Sequence, residues 1–332
     1  MIMKVLSVAC CLLAARVSAA PAAATAPASP VLTNGGNIND TISQSTLLHT
    51  ANHDVTCLGV LFGEDKEIED KVVFFIESDV NKQGERVDYG LHALTKDPTH
   101  PNHTVSTKLL DNARDIAVAS LTETAYFAAK DGIYVYNKKK NSAEKFGSVS
   151  DEVISIAAEN ATGVLYYVNK QHQLYKVTER GQKATIVDVV KNADQITVDY
   201  KGHLYYYTVD KKFYVYDGQN AKLVEGVPSN RNKVSFLRTP VLVGDYGVVN
   251  VDGDYYVIYG ADASGHAASG GGAGGRSAVS VESGLVLYFS VDRKIYELNI
   301  IEKVVEGMME GLSRGLKTMM EEMRNTFNSF DF

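Results

Sequence analysis

The chain of 332 residues contains no tryptophan, seven prolines and three cysteines. Cys10 and Cys11 belong to an N-terminal stretch that reads as an export signal: Lys4, an apolar run from Val5 to Ala15, then the small-x-small pattern Val17-Ser18-Ala19. Removal of residues 1–19 leaves Cys57 alone, which excludes an intramolecular disulfide and requires a hydrophobic core to hold the fold. The 45% hydrophobic composition can supply one. Long apolar runs are also missing: the signal's run is too short to cross a bilayer, and no later segment approaches a spanning length. A secreted, extracellular protein without an integral membrane span is expected.

Catalytic signatures are lacking too. There is no Gly-x-Ser-x-Gly elbow, no His-Glu-x-x-His and no paired-cysteine motif, so no catalytic residue, metal site or cofactor follows from the sequence. Cys57 falls inside a strand pattern and reads as a structural thiol. The net charge is −7 and becomes more negative once Lys4 and Arg16 leave with the signal. Basic residues are scattered apart from Lys138-Lys139-Lys140, a pattern that argues against a nucleic-acid or anionic-membrane partner.

What is present is a repeat. Ala125-Tyr126-Phe127, Leu165-Tyr166-Tyr167, Leu204-Tyr205-Tyr206 and Leu287-Tyr288-Phe289 recur at multiples of about 40 residues, and Gly247-Val248-Val249-Asn250 occupies the one slot without a doublet. A second landmark follows each: Ile133-Tyr134-Val135-Tyr136, Leu174-Tyr175-Lys176-Val177, Phe213-Tyr214-Val215-Tyr216, Tyr255-Tyr256-Val257-Ile258 and Ile295-Tyr296-Glu297-Leu298. A sixth copy begins at Val72-Val73-Phe74-Phe75-Ile76, is stretched by an insertion at 79–103, and includes Tyr89-Gly90-Leu91-His92. Turns such as Asp131-Gly132, Asp217-Gly218 and Asp252-Gly253 separate the short runs into four strands per repeat.

This pattern predicts an all-β, six-bladed β-propeller. Residues 45–50 are expected to close it as the outer strand of the last blade, with the other three strands from 278–300. The expected organisation is signal 1–19, disordered Ala/Pro leader 20–43, propeller 44–301 with a flexible Gly-rich loop at 261–276, and a C-terminal segment 302–332. In that last segment the period changes to 3.6, with Val305, Met308, Met309, Leu312, Leu316, Met319, Met320, Met323 and Phe327 on one face of an amphipathic helix. It is expected to lie on the propeller; a protein partner bound through 302–327 is the other reading.

Loops that converge at one end of a propeller's channel form its usual concave site. On that argument the candidate ligand-binding residues are His53, Arg114, Asp151, His172, Asp194, Asp210, Lys233 and Arg276. Both charge signs with tyrosines nearby suit a polar, planar, amphoteric small molecule. Three sequons, at Asn39, Asn102 and Asn160, are candidate glycosylation sites.

Lys130-Asp131-Gly132-Ile133-Tyr134-Val135-Tyr136-Asn137, preceded by Thr124-Ala125-Tyr126-Phe127, and Asp199-Tyr200-Lys201-Gly202-His203-Leu204-Tyr205-Tyr206 resemble the ommochrome-binding proteins of moths and butterflies. The resemblance covers roughly residues 45–300. It implies a secreted insect haemolymph protein, not an enzyme, that carries an ommochrome pigment or a tryptophan-derived precursor. Two alternatives remain: an extracellular protein-interaction scaffold, and a calcium-dependent hydrolase of the gluconolactonase or paraoxonase kind. The latter needs Glu, Asn and Asp pointing inward, where this chain offers Ala117, Ala119, Ser155, Ala157 and Thr197.

Overall fold

The computed structural model describes residues 38–62, 71–97, 99–100, 103–160, 162–231, 233–237, 245–268, 276–281, 286–300 and 302. Residues 1–19, expected to be an export signal, most of the leader, Asn102, the glycine-rich run 269–275 and the C-terminal helix expected beyond Glu302 lie outside the described residues. Among the described residues no helix is long and apolar enough to cross a membrane.

The described chain opens with a short helix, α1 (Ile38–Ser43), and strand β1 (Thr46–Thr50). Six four-stranded antiparallel sheets then form the blades of a β-propeller. Blade one is β2 (Val55–Leu61), β3 (Val72–Val80), β4 (Arg86–Lys96) and β5 (Thr104–Leu110). Blade two is β6 (Ala113–Ala119), β7 (Thr124–Ala129), β8 (Gly132–Asn137) and β9 (Ser142–Lys145). Blade three is β10 (Val153–Ala158), β11 (Leu165–Asn169), β12 (Leu174–Thr178) and β13 (Lys183–Ile186). Blade four is β14 (Ala193–Val198), β15 (Leu204–Thr208), β16 (Phe213–Tyr216) and β17 (Ala221–Leu223). Blade five is β18 (Val234–Phe236), β19 (Tyr246–Val251), β20 (Asp254–Tyr259) and β21 (Gly265–Ala267). Blade six is β22 (Arg276–Val281), β23 (Val286–Val291) and β24 (Lys294–Asn299), with β1 as its fourth strand.

The aromatic doublets have a packing cause. The second strand of a blade is covered on both faces, and side chains alternate between faces, so two adjacent rings serve two different neighbours. Tyr167 packs with blade two while Tyr166 packs with blade four; Tyr206 packs with blade three while Tyr205 packs with blade five. Tyr167, Tyr205, Phe127, Tyr288 and Phe289 are buried, and each such side chain contributes on the order of 2–3 kcal/mol in transfer free energy. The slot without a doublet has its own reason: a Cβ on Gly247 would lie 2.9 Å from Cγ of Tyr205, so the ring of blade four occupies the space.

At the ring's seam, Thr46 pairs with Glu297, Leu47 with Tyr296 and Thr50 with Lys294, and the Ala51 amide donates to the Arg293 carbonyl at 2.7 Å.

Three expectations need correction. Within the supposed disordered leader, α1 is helical because Ile38 and Ile42 find an apolar surface made by Phe289, Val291, Tyr296 and Leu298. Within the supposed loop 261–276, Gly265–Ala267 is the outer strand of blade five, paired through Ile258↔Gly265 and Tyr256↔Ala267, and Arg276 begins β22. A three-residue edge strand needs backbone partners rather than apolar anchors, so hydropathy did not reveal it. The stretch read as an insertion from 79 is in part the extension of the β3–β4 hairpin, which puts His92 inside β4 opposite Phe75.

Candidate binding site

Each inner strand starts at one face of the ring, and in five of the six a register shift occurs at that start: Val55/Cys57, Ala113/Asp115, Val153/Ser155, Ala193/Gln195 and Arg276/Ala278. Such a bulge places one extra residue on the strand and re-aims its side chain. The five extra residues are Thr56, Arg114, Ile154, Asp194 and Ser277, and all five line a cavity of about 490 Å³ at this end of the channel. Arg86, Glu152, Lys170, His172, Gln195, Phe236, Leu237, Asn250 and Tyr255 complete much of its wall. Farther along the same inner strands, between Gly59, Ala117, Ala157, Thr197 and Ser280, the free space is only about 30 Å³. The site is therefore a funnel.

Four of the eight residues expected from sequence, Arg114, His172, Asp194 and Arg276, line this cavity. The other four do not, and each has a local role. His53 stacks on Tyr89 with ring centroids 3.4 Å apart and sets Nδ1 2.9 Å from Asp79 Oδ2. Asp151 accepts from the Tyr167 hydroxyl at 2.8 Å, and Asp210 accepts from Asn192 Nδ2 at 3.1 Å. Lys233 donates its backbone N–H to Asp252 Oδ1 at 3.4 Å. The bulges explain the error: the counterparts of Arg114 and Asp194 in blades one and three are Thr56 and Ile154, not the loop residues His53 and Asp151. Aligning the repeats on Val55-Thr56-Cys57, Ala113-Arg114-Asp115, Val153-Ile154-Ser155 and Ala193-Asp194-Gln195 would have found them.

A charge network runs across blades one to three. The Asp88 carboxylate, with its side chain 3% exposed, lies 2.8 Å from Arg86 Nε, 3.3 Å from Arg114 Nη1 and 3.1 Å from Lys130 Nζ. Glu152 takes Arg114 Nη2 at 3.4 Å and Lys170 Nζ at 3.0 Å. Four cations face two carboxylates there. On the next wall Asp194 stands 3.7 Å from His172 Nδ1, and burial holds its carboxyl above the usual carboxylate range, opposed by His172. Below the bulges, Asp115 accepts from Ile116 N at 2.9 Å, Ser155 Oγ at 2.8 Å and Ile156 N at 2.9 Å, while Ser155 Oγ accepts from Ile196 N at 3.2 Å. This belt joins the inner strands of blades two, three and four beneath the cavity floor. Among the described residues no three His, Cys, Asp or Glu side chains converge as a metal-ligand set.

Of the sequons, Asn39 is exposed on α1. Asn160 is buried, its Oδ1 accepting from Leu121 N at 3.0 Å and its Nδ2 shut off from solvent, so a glycan there requires that turn to open.

No family model matches the chain, and no curated protein matches it in sequence. In fold it is similar to 1093 solved chains, too common an architecture to select a function. One is PorZ, a bacterial surface component of the type-IX secretion system of Porphyromonas gingivalis, at 11% identity and TM-score 0.47, with 77% of this chain and 38% of that one covered. This chain thus spans well under half of PorZ. Another is a protein of unknown function from Bacteroides thetaiotaomicron, at 10% identity and TM-score 0.50, with 80% and 72% covered. At such identities the likeness is one of fold.

Proposed function

We propose that this chain is a binding protein that takes a small, aromatic, amphoteric molecule into the funnel at the propeller's hub, with an ommochrome pigment or tryptophan-derived precursor as the candidate ligand. The observation that carries the reading is the cavity wall, which brings Arg86, Arg114 and Lys170 together with Glu152 and Asp194 around apolar Ile154, Val234, Phe236 and Leu237. A planar ring finds apolar surface there, while a carboxylate and an ammonium group find opposite partners. The volume falls within the range of about 300–1,000 Å³ that small-molecule sites occupy. Secretion through the N-terminal signal fits an extracellular carrier.

The test is calorimetry of the purified protein with 3-hydroxykynurenine and xanthommatin. One saturable site is expected, weakened about tenfold or more by Arg114→Ala and by Asp194→Ala. Absence of binding at about 1 mM ligand, the weak limit of specific recognition, would count against the reading.

A further inference from the structure

Five of the six seams between blades are filled by apolar clusters drawn from both flanking blades. The seam between blades five and six is different. Among the described residues, the cluster on blade six's face toward blade five is completed by Ile38 and Ile42 of α1 and includes no residue of blade five.

Its upper end is polar where the repeat calls for apolar residues. The residue just before the bulge faces the preceding blade, and in blades one to four it is Val55, Ala113, Val153 or Ala193, all fully buried. In blade six that slot holds Arg276. Its guanidinium lies 5.0 Å over the Phe289 ring, and Nη2 donates to Thr41 Oγ1 at 3.4 Å. On the opposing face of blade five stand Asn250 and Tyr255, which pair with each other across the β19–β20 hairpin. The matching second-strand positions in blades one to four are Ile76, Ala128, Val168 and Tyr207.

Arg276 Nε, Asn250 Nδ2 and the Tyr255 hydroxyl are all shut off from solvent without a hydrogen-bond partner, and all three residues line the cavity. Arg114 Nε, from the facing wall, is a fourth such atom. Every one of the four is a donor. Buried donors left unpaired are costly. Asp88 and Glu152 already hold the Arg114 guanidinium, whereas that of Arg276 has Thr41 Oγ1 and the Phe289 ring beside it and, among the described residues, no carboxylate.

We infer that the seam between blades five and six is an oxyanion subsite in which Arg276, Tyr255 and Asn250 hold the ligand's carboxylate. The inference rests on the hub cavity being the ligand site. A planar carboxylate offers two oxygens to the fork of Arg276 and leaves lone pairs for the phenol and the amide.

Two measurements test it separately from the parent reading. In thermal-shift titrations at fixed ionic strength, benzoate is expected to raise Tm saturably, more than sulfate does, while chloride has no such effect. Arg276→Gln should abolish the benzoate shift and Tyr255→Phe should reduce it; Asn250→Asp, which puts a negative charge among the donors at constant size, should abolish it even if Arg276→Gln fails to fold. In calorimetry, 3-hydroxykynurenine should bind about tenfold or more tightly than its carboxamide, and Arg276→Gln should erase that preference. Equal affinity for acid and carboxamide overturns the carboxylate subsite while leaving the hub site standing. Stabilisation by sulfate but not benzoate also overturns it, as does a benzoate shift indifferent to all three substitutions.

Discussion

The carboxylate of Asp115, on the inner strand of blade two, accepts a 2.8 Å hydrogen bond from the Ser155 hydroxyl on the inner strand of blade three. The same carboxylate accepts two backbone amides, so one side chain fixes how far apart two blades sit at the hub. The dimensions of the cavity above depend on that spacing.

Replacing Asp115 with alanine removes, in a buried position, an acceptor of the Ile116 and Ile156 amides and of the Ser155 hydroxyl. The expected loss of stability is about 3 kcal/mol, against about 1–2 kcal/mol for Asp115→Asn, which keeps part of the acceptor. Urea unfolding followed by tyrosine fluorescence checks this. A loss under about 0.5 kcal/mol for Asp115→Ala, the scale of an ordinary surface change, would remove the belt from the account.

A pH response is expected of the seam strand. His49 of β1 lies 5.4 Å from the Phe75 ring, whose other neighbour is His92 at 5.0 Å; His92 Nε2 is 3.6 Å from Glu77 Oε2. Burial depresses both imidazole pKa values below 6.5, with Glu77 opposing the fall and Lys108 adding to it at His92. Below 6.5 the unfolded chain therefore binds protons that the folded chain resists. Stability is fully present above that value and is lost as pH falls toward the folded pKa values. Hydrogen exchange along β1, corrected for intrinsic rates, should accelerate between pH 6.5 and 5 and do so less in His92→Gln. An unchanged pH profile in His49→Gln,His92→Gln would trace the response to other groups.

How much of this was legible beforehand depended on how local its cause was. The doublets Tyr126-Phe127, Tyr166-Tyr167 and Tyr205-Tyr206 announce the blades because covering both faces of a strand demands two adjacent large side chains, a constraint written in neighbouring residues. Arg114 and Asp194 were found because they sit at strand starts. Thr56 and Ile154 were missed because a one-residue bulge decides which side chain meets the channel, and a bulge is a relation between two strands. Asn250 and Tyr255 resemble ordinary hairpin residues; only the blade opposite them makes them cavity wall. The outer strand Gly265–Ala267 and the helix Ile38–Ser43 depend on partners far away in sequence, so composition alone read both as loose chain.

The buried phenols give an alkaline signature. Burial raises Tyr166, Tyr167, Tyr205 and Tyr206 well above the ordinary value of 10, and burial together with the Asp131 hydrogen bond pushes Tyr134 up to about 12. Between 10 and the folded values the native state keeps protons that the unfolded state has lost, so stability is complete below pH 10 and falls as pH rises beyond it. Absorbance at 295 nm should show one group of tyrosines titrating near 10 and a second appearing only with loss of the near-ultraviolet dichroism. A single smooth titration of all tyrosines near 10 in the folded protein would contradict the packing described.

The most direct measurement is a crystal structure grown with 3-hydroxykynurenine. The ligand is expected inside the hub funnel, its ring against Ile154 and Phe236, its carboxylate at Arg276 and its ammonium group toward Asp194 or Glu152. A ligand seated on the outer strands or between copies of the chain, with the funnel holding only solvent, would contradict it.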